Sequence, residues 1–237
     1  MTSAPSSISH RPRMMPIWLA GTFVLVLIAI SIAFAVQREH GTTNGSREGS
    51  GVAGTQVRHL EPFSAVDLAG ANTVTIRVGP AQQVTVRGDD NLLDRVTTAV
   101  SAGTLAIGNR GSFRTTAPMN VDIAVPELTG VTLSGSGTIA VSGMEADTFT
   151  VRLPGAGTID ASGQVHRISA TLGGAGTIQL TGLIARDAVA VIDGSGTIVL
   201  YASRSLDATI AGTGTIEYTG SPRNVSRHLT GTGSISG

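Results

Sequence analysis

One five-residue motif recurs through the second half of the chain and constrains its fold more than any other feature. Gly-x-Gly-[Thr/Ser]-Ile opens at Gly135, Gly155, Gly174, Gly194, Gly212 and Gly231, with spacings of 20, 19, 20, 18 and 19 residues. Six copies at a near-constant period mark a solenoid, in which each unit buries its apolar side only against its neighbours.

The flanking residues show how one coil is built. Leu133, Leu153, Leu172, Ile192, Ile210 and Leu229 stand two positions before the first glycine, and alternate residues upstream are often apolar, as in Phe149, Val151 and Leu153. That is the period of a strand with one face inward. Ile139, Ile159, Ile178, Ile198, Ile216 and Ile235 follow the glycines, and Val141, Ala161, Leu180, Leu200 and Tyr218 come two residues later, so a second strand follows the turn. The Gly-x-Gly between them supplies either positive φ or a close backbone approach at the corner. A further glycine at Gly143, Gly163, Gly182 and Gly220 closes the second strand. The pattern predicts an all-β fold, a right-handed parallel β-helix (β-solenoid) with coils of about 19 residues and strands of successive coils about 4.8 Å apart. Leucine-rich repeats share the period, but their Leu-x-x-Leu-x-Leu and Asn pattern is absent. With isoleucine inward, Thr138, Thr158, Thr177, Thr197, Thr215 and Ser234 face outward, as do Ser142, Ser162, Thr181, Tyr201 and Thr219, giving a hydroxyl-rich outer face.

Residues 131–237 are thus the regular repeats. Residues 55–130 lack the motif but keep the alternation, as in Val74-Thr75-Ile76-Arg77-Val78 and Val121-Asp122-Ile123-Ala124-Val125, and are expected to form irregular early coils or a β cap. Asn91–Arg95 reads as a short helical or turn insertion. The chain has 31 glycines, 14% charged residues and no cysteine, so disulfides and thiolate sites are excluded.

Upstream, Ile17 to Val36 is a twenty-residue stretch without a charge, which as a helix is about 30 Å long and matches a bilayer core. Arg11 and Arg13 precede it, Trp18 sits at its start, and Gln37, Arg38, Glu39 and His40 follow. It is expected to be a transmembrane anchor, or a signal peptide cleaved after Ala35, since Ala33-Phe34-Ala35 satisfies the small-x-small rule. Residues 1–16 are then a cytoplasmic tail. Residues 37–54 are polar and rich in glycine, and read as a flexible linker. The expected location is the bacterial envelope: anchored in the inner membrane through residues 17–36 with the C-terminal domain outside the cytoplasm, or secreted or periplasmic if cleaved.

Three further segments carry a resemblance. Arg58-His59-Leu60-Glu61-Pro62-Phe63 leads into Ala65-Val66-Asp67-Leu68; Gly88-Asp89-Asp90-Asn91-Leu92-Leu93 follows; and Val125-Pro126-Glu127-Leu128 runs on to Leu133-Ser134-Gly135-Ser136-Gly137. Together with the repeats, residues 58–237 resemble the head GIN domain family of autotransporter adhesins. The resemblance implies a β-helical fold and an envelope or surface location, and brings no catalytic residues. A complete autotransporter also needs a membrane β-barrel, for which there is no room after Gly237, so self-secretion is not expected.

No enzymatic constellation emerges. Polysaccharide-processing β-helices need carboxylates gathered across adjacent coils, whereas Asp160 and Glu217 fall three coils apart, about 14 Å at the strand spacing. Asp193 precedes its Gly-x-Gly without counterparts in the other coils. Ile178 stands where calcium-binding solenoids place aspartate, and His10, His40, His59, His166 and His228 lack ligand spacing, so no metal, cofactor or catalytic residue is assigned. The 16 basic residues, all arginine, balance 16 acidic ones without forming a run, which argues against nucleic acid. The function expected is a non-enzymatic, adhesin-like binding module with an unknown envelope, cell-surface or protein partner. The alternatives are a self-assembling structural protein, with a homo-oligomer forming through the C-terminal coil, and a cryptic polysaccharide-processing enzyme.

Overall fold

The computed structural model describes residues 46–237. The expected membrane or signal segment 17–36, the tail before it and the first half of the linker, residues 37–45, lie outside them. No helix among the described residues is long and apolar enough to cross a membrane.

The repeats fold as their period dictates. Four long strands, β11 (Thr138–Leu153), β12 (Thr158–Leu172), β13 (Thr177–Ile192) and β14 (Thr197–Ile210), stack in parallel, and register irregularities partway along, one in each of the first two pairings and two between β13 and β14, divide each into a first and a second half that stack as two faces. Strands β15 (Thr215–Thr219) and β17 (Ser234–Ser236) continue the sheet built from the first halves; β16 (Asn224–Leu229) continues the other. Ile139, Ile159, Ile178, Ile198, Ile216 and Ile235 pair in register as one ladder, and the first five are fully buried. Leu153, Leu172, Ile192, Ile210 and Leu229 form a second ladder. Each fully buried aliphatic side chain contributes about 1.5–3 kcal/mol, and the stacked rungs make that gain contiguous along the axis.

The motif glycines are required by close approach, not by handedness of the backbone, because none of them has positive φ. A Cβ on Gly155 would stand 2.0 Å from the carbonyl oxygen of Gly135, and one on Gly157 would stand 2.0 Å from that of Gly137. That closeness lets the corners hydrogen-bond between coils, with Gly155 N donating to Leu133 O at 3.1 Å and Thr158 N to Gly137 O at 3.1 Å. Positive φ is used at the other corner instead, as at Gly143 with φ of 75°.

Spatial order departs from chain order before the repeats. Strands β3 (Ala65–Leu68) and β4 (Thr73–Val78) form a coil. Strand β10 (Gly130–Leu133) stacks on β3, and β11 stacks on β4. The coil formed by β7 (Thr104–Asn109) and β9 (Asn120–Val125), although later in the chain, stacks on the opposite side of β3 and β4. Antiparallel strands cover that end: β6 (Val96–Ser101) pairs with β7, β5 (Gln83–Asp89) with β9, and β2 (Ala53–Arg58) with β5. Residues 55–130 therefore contain both coils and a cap. A 3-10 helix at Asp90–Arg95 fills the insertion predicted over Asn91–Arg95, burying Leu92 and Leu93.

The linker assigned to residues 37–54 ends earlier than its composition suggests. Strand β1 (Arg47–Glu48) pairs with β8 (Phe113–Arg114), and the start of β2 already lies within the last two linker positions. Polar hydrogen bonds rather than apolar burial hold this segment: Ser50 N donates to Asn91 Oδ1 at 3.0 Å and Gly51 N to Asp89 Oδ1 at 2.8 Å. Asp89 is fully buried and also accepts from Thr116 N at 2.8 Å and Ala117 N at 3.3 Å. Burial works to raise its pKa, but the three backbone donors outweigh that and hold the carboxyl below its ordinary value. A carboxyl depressed in the folded state adds stability above its unfolded pKa of about 3.9, and the gain is lost as pH falls through the lower folded value. Asp89→Asn is expected to unfold at lower temperature at neutral pH and to lose less of its midpoint than the wild type between about pH 5 and about pH 3. Thermal melts followed by circular dichroism at both pH values check this; parallel pH profiles would contradict it.

Candidate binding surface

The outer face of the first-half sheet carries the predicted hydroxyls, and the structure divides them. Thr73, Thr138, Thr158, Thr177, Thr197, Thr215 and Ser234 form one in-register outward column. Among the described residues, the hydroxyls of Thr138, Thr158, Thr177 and Thr197 have no hydrogen-bond partner within the protein, while Ser234 Oγ reaches Thr215 Oγ1 at 3.5 Å. Farther along the strands the hydroxyls turn back onto the coil beneath: Ser142 Oγ donates to Ile76 O at 3.4 Å, Ser162 Oγ to Val141 O at 3.3 Å and Thr219 Oγ1 to Leu200 O at 3.4 Å. Those groups serve the scaffold. The column of Thr138, Thr158, Thr177 and Thr197 is the part free to meet a partner.

Beside that column, the Gly-x-Gly corners form an open groove of about 700 Å³ along the solenoid axis. Ser136, Ala156, Ala175, Ser195 and Thr213 line it together with the motif glycines, and no charged side chain enters. Asp160, Gln179, Val199 and Glu217 pair successively in the neighbouring outward column, so the two carboxylates do stand three coils apart. Among the described residues no group of three His, Asp or Glu side chains is placed to hold a metal.

A cleft of about 660 Å³ that no motif in the sequence announces lies on the other sheet, near the C-terminal coils. Arg167, Asp187, Ser205 and Asn224 occupy one outward column at its floor. Arg204 forks onto Asp187, with Nε 2.7 Å from Oδ1 and the terminal nitrogen on Oδ2, and Ser205 Oγ donates to the same carboxylate. The hydrogen bonds from Arg204 and Ser205 hold the Asp187 carboxyl down at about 2. A signal was present: Arg167, Arg186, Arg204 and Arg223 recur at spacings of 19, 18 and 19 residues, the period of the motif.

A parallel β-solenoid closed at one end by antiparallel strands and carrying open surface sites defines the class of this domain. The chain belongs to the family described as "putative auto-transporter adhesin, head GIN domain", which matches residues 62–222. It is similar to the crystal structure of a putative adhesin from Bacteroides fragilis, at 22% identity and a TM-score of 0.65, covering 80% of this chain and 98% of that one. A putative lipid binding protein from Parabacteroides distasonis is similar at 24% identity and a TM-score of 0.53, with coverage of 81% and 99%. These likenesses establish the shared fold. Among curated proteins, none matches the chain.

Proposed function

We propose that the domain is a non-enzymatic, adhesin-like binding module of the bacterial envelope, presenting the column Thr138–Thr158–Thr177–Thr197 and the adjoining glycine groove to a surface partner. The carrying observation is the set of threonine hydroxyls repeated once per coil, held on a rigid ladder and left without internal partners. A rigid scaffold lowers the ordering cost of binding, because neither backbone nor β-branched side chains must be frozen on contact. The family description supports an adhesin-like role at the cell surface. The name of the Parabacteroides neighbour speaks of lipid, but the groove is open and lined by Gly, Ala and Ser, a form suited to a surface rather than to an enclosed acyl chain. In this reading residues 17–36 anchor the domain outside the cytoplasm, or are removed after Ala35. The separation of Asp160 from Glu217 supports a role in binding over one in hydrolysis.

The test uses the full chain in detergent, bound to isolated envelope. The triple variant T158V/T177V/T197V keeps the β-branched shape and removes only hydroxyls, so its melting temperature should stay near that of the wild type. Retention on the envelope should fall by about tenfold or more, the effect of losing two or three hydrogen bonds of about 0.5–1.5 kcal/mol each. Equal retention of the two proteins would overturn the assignment of this face.

A further inference from the structure

We propose that the cleft lined by Arg167, Arg204 and Arg223 binds the carboxylate or phosphate groups of a linear anionic polymer. The inference rests on the reading of the domain as an extracytoplasmic binding module and adds the chemical class of a ligand, at a place separate from the threonine face.

The charges in the cleft are unevenly committed. Arg204 is engaged by Asp187 through both arms of its guanidinium group, and Ser205 adds a third bond to the same carboxylate. This fixed group forms one wall, with Asp187 only 13% exposed beneath it. Arg167 and Arg223 also line the cleft, and among the described residues neither has an ion-pair partner. Asp207 is the one other acid there, so three arginines face two aspartates and the cleft carries a net positive charge in a chain whose formal charge is zero. Asn224 adds a neutral amide donor on the same floor. Guanidinium forks match carboxylate and phosphate oxygens in a bidentate geometry that neutral sugars do not offer.

The repeat extends the match beyond one group. Arg167 stands in register with Asp187, and Arg223 N donates to Arg204 O at 2.9 Å, which places Arg204 and Arg223 on adjacent coils. The two unpaired guanidinium groups, Arg167 and Arg223, thus flank the Arg204–Asp187 pair three coils apart, about 14 Å at the strand spacing. A linear polymer with repeated anionic groups, laid along the solenoid, reaches both of them at once; a single small anion reaches only one.

The test measures binding of the full chain, in a neutral detergent, to immobilised polygalacturonate as the carboxylate probe, polyphosphate as the phosphate probe and dextran as the neutral control. The wild type should bind at least one polyanion, with affinity falling as salt rises, and should not bind dextran. Arg167→Ala with Arg223→Ala, both at exposed positions, should weaken polyanion binding about tenfold or more without changing the melting curve. Arg152→Ala, an exposed arginine outside the cleft, should leave binding unchanged. Whichever probe is lost in the double variant identifies the anionic group. Absence of binding to both polyanions, unchanged binding by the double variant, or an equal loss in Arg152→Ala would each overturn the proposal. Envelope retention measured on the same proteins keeps the readings apart: the double arginine variant tests the cleft, and T158V/T177V/T197V tests the threonine face.

Discussion

Alanine at position 174 is expected to destabilise the domain by about 3 kcal/mol or more, whereas alanine one residue earlier, at position 173, is expected to change stability by less than about 0.5 kcal/mol. The two glycines are chain neighbours in the same corner but meet different surroundings. A Cβ on Gly174 would stand 1.8 Å from the Gly155 oxygen, 2.7 Å from the Pro154 oxygen and 2.8 Å from the Gly155 carbonyl carbon. All three atoms are backbone, so no side chain can swing aside. Relief requires the coils to part, which strains the bonds from Ala175 N to Gly155 O at 3.2 Å and from Ser195 N to Gly174 O at 3.0 Å. The Cβ of an alanine at position 173 meets nothing closer than the Pro154 Cα at 3.9 Å, an ordinary contact. Denaturant melts of Gly173→Ala and Gly174→Ala check the contrast. Matching midpoints would show that the corners are loose enough to absorb a methyl group, and the requirement for glycine would lose its basis.

The contrast also marks where the sequence stops being informative. Periodicity sees that glycine recurs at 135, 155 and 174, but positive φ and close approach leave the same trace, and only the distance between coils separates them. The isoleucine ladder was legible because side-chain alternation within a coil and the period between coils both place Ile139, Ile159 and Ile178 inward. The order of coils was not. The segments Val74–Val78 and Val121–Val125 alternate alike, and nothing local records that β9 lies beneath β4 rather than after it; that is long-range pairing, made by the antiparallel excursion through β5 and β6. The linker misled for a related reason. Residues 47–54 bury no large apolar side chain, since Val52 is exposed, and their anchorage to Asp89, Asn91 and β8 consists of hydrogen bonds that composition does not reveal. The outer face was half legible: alternation says which hydroxyls point outward, but not that Ser142 and Ser162 spend theirs on the coil beneath while Thr158 and Thr177 do not. The arginines kept the repeat period in the chain but not in space: Arg167 shares its column with Asp187, Ser205 and Asn224, while Arg186, Arg204 and Arg223 each stand one residue before those positions, an offset that spacing alone does not show.

Ile178→Ala is expected to cost about 2–5 kcal/mol, the range for emptying a buried aliphatic site that cannot collapse. Ile178 is fully buried, and so are Ile159 and Ile198, the rungs on either side in the same ladder. Those neighbours are fixed by the hydrogen bonds of their own strands, so they cannot move in to fill the space. Ile235 occupies the corresponding position in β17 but is only partly buried, and its strand pairs with β15 alone. Ile235→Ala should therefore cost less than about 1 kcal/mol, the smaller area removed from water with little cavity left behind. Because each coil contacts only its neighbours, the pairing of lesions matters as well as their number. Ile159→Ala with Ile178→Ala opens one continuous void, and its cost should depart from the sum of the single changes by about 0.5 kcal/mol or more. Ile139→Ala with Ile216→Ala, separated by three intact rungs, should add to within about 0.5 kcal/mol. Denaturant melts of the five single and two double variants measure both comparisons. Equal costs at 178 and 235, or additivity in the adjacent pair, would mean that the isoleucines do not act as touching rungs of one core.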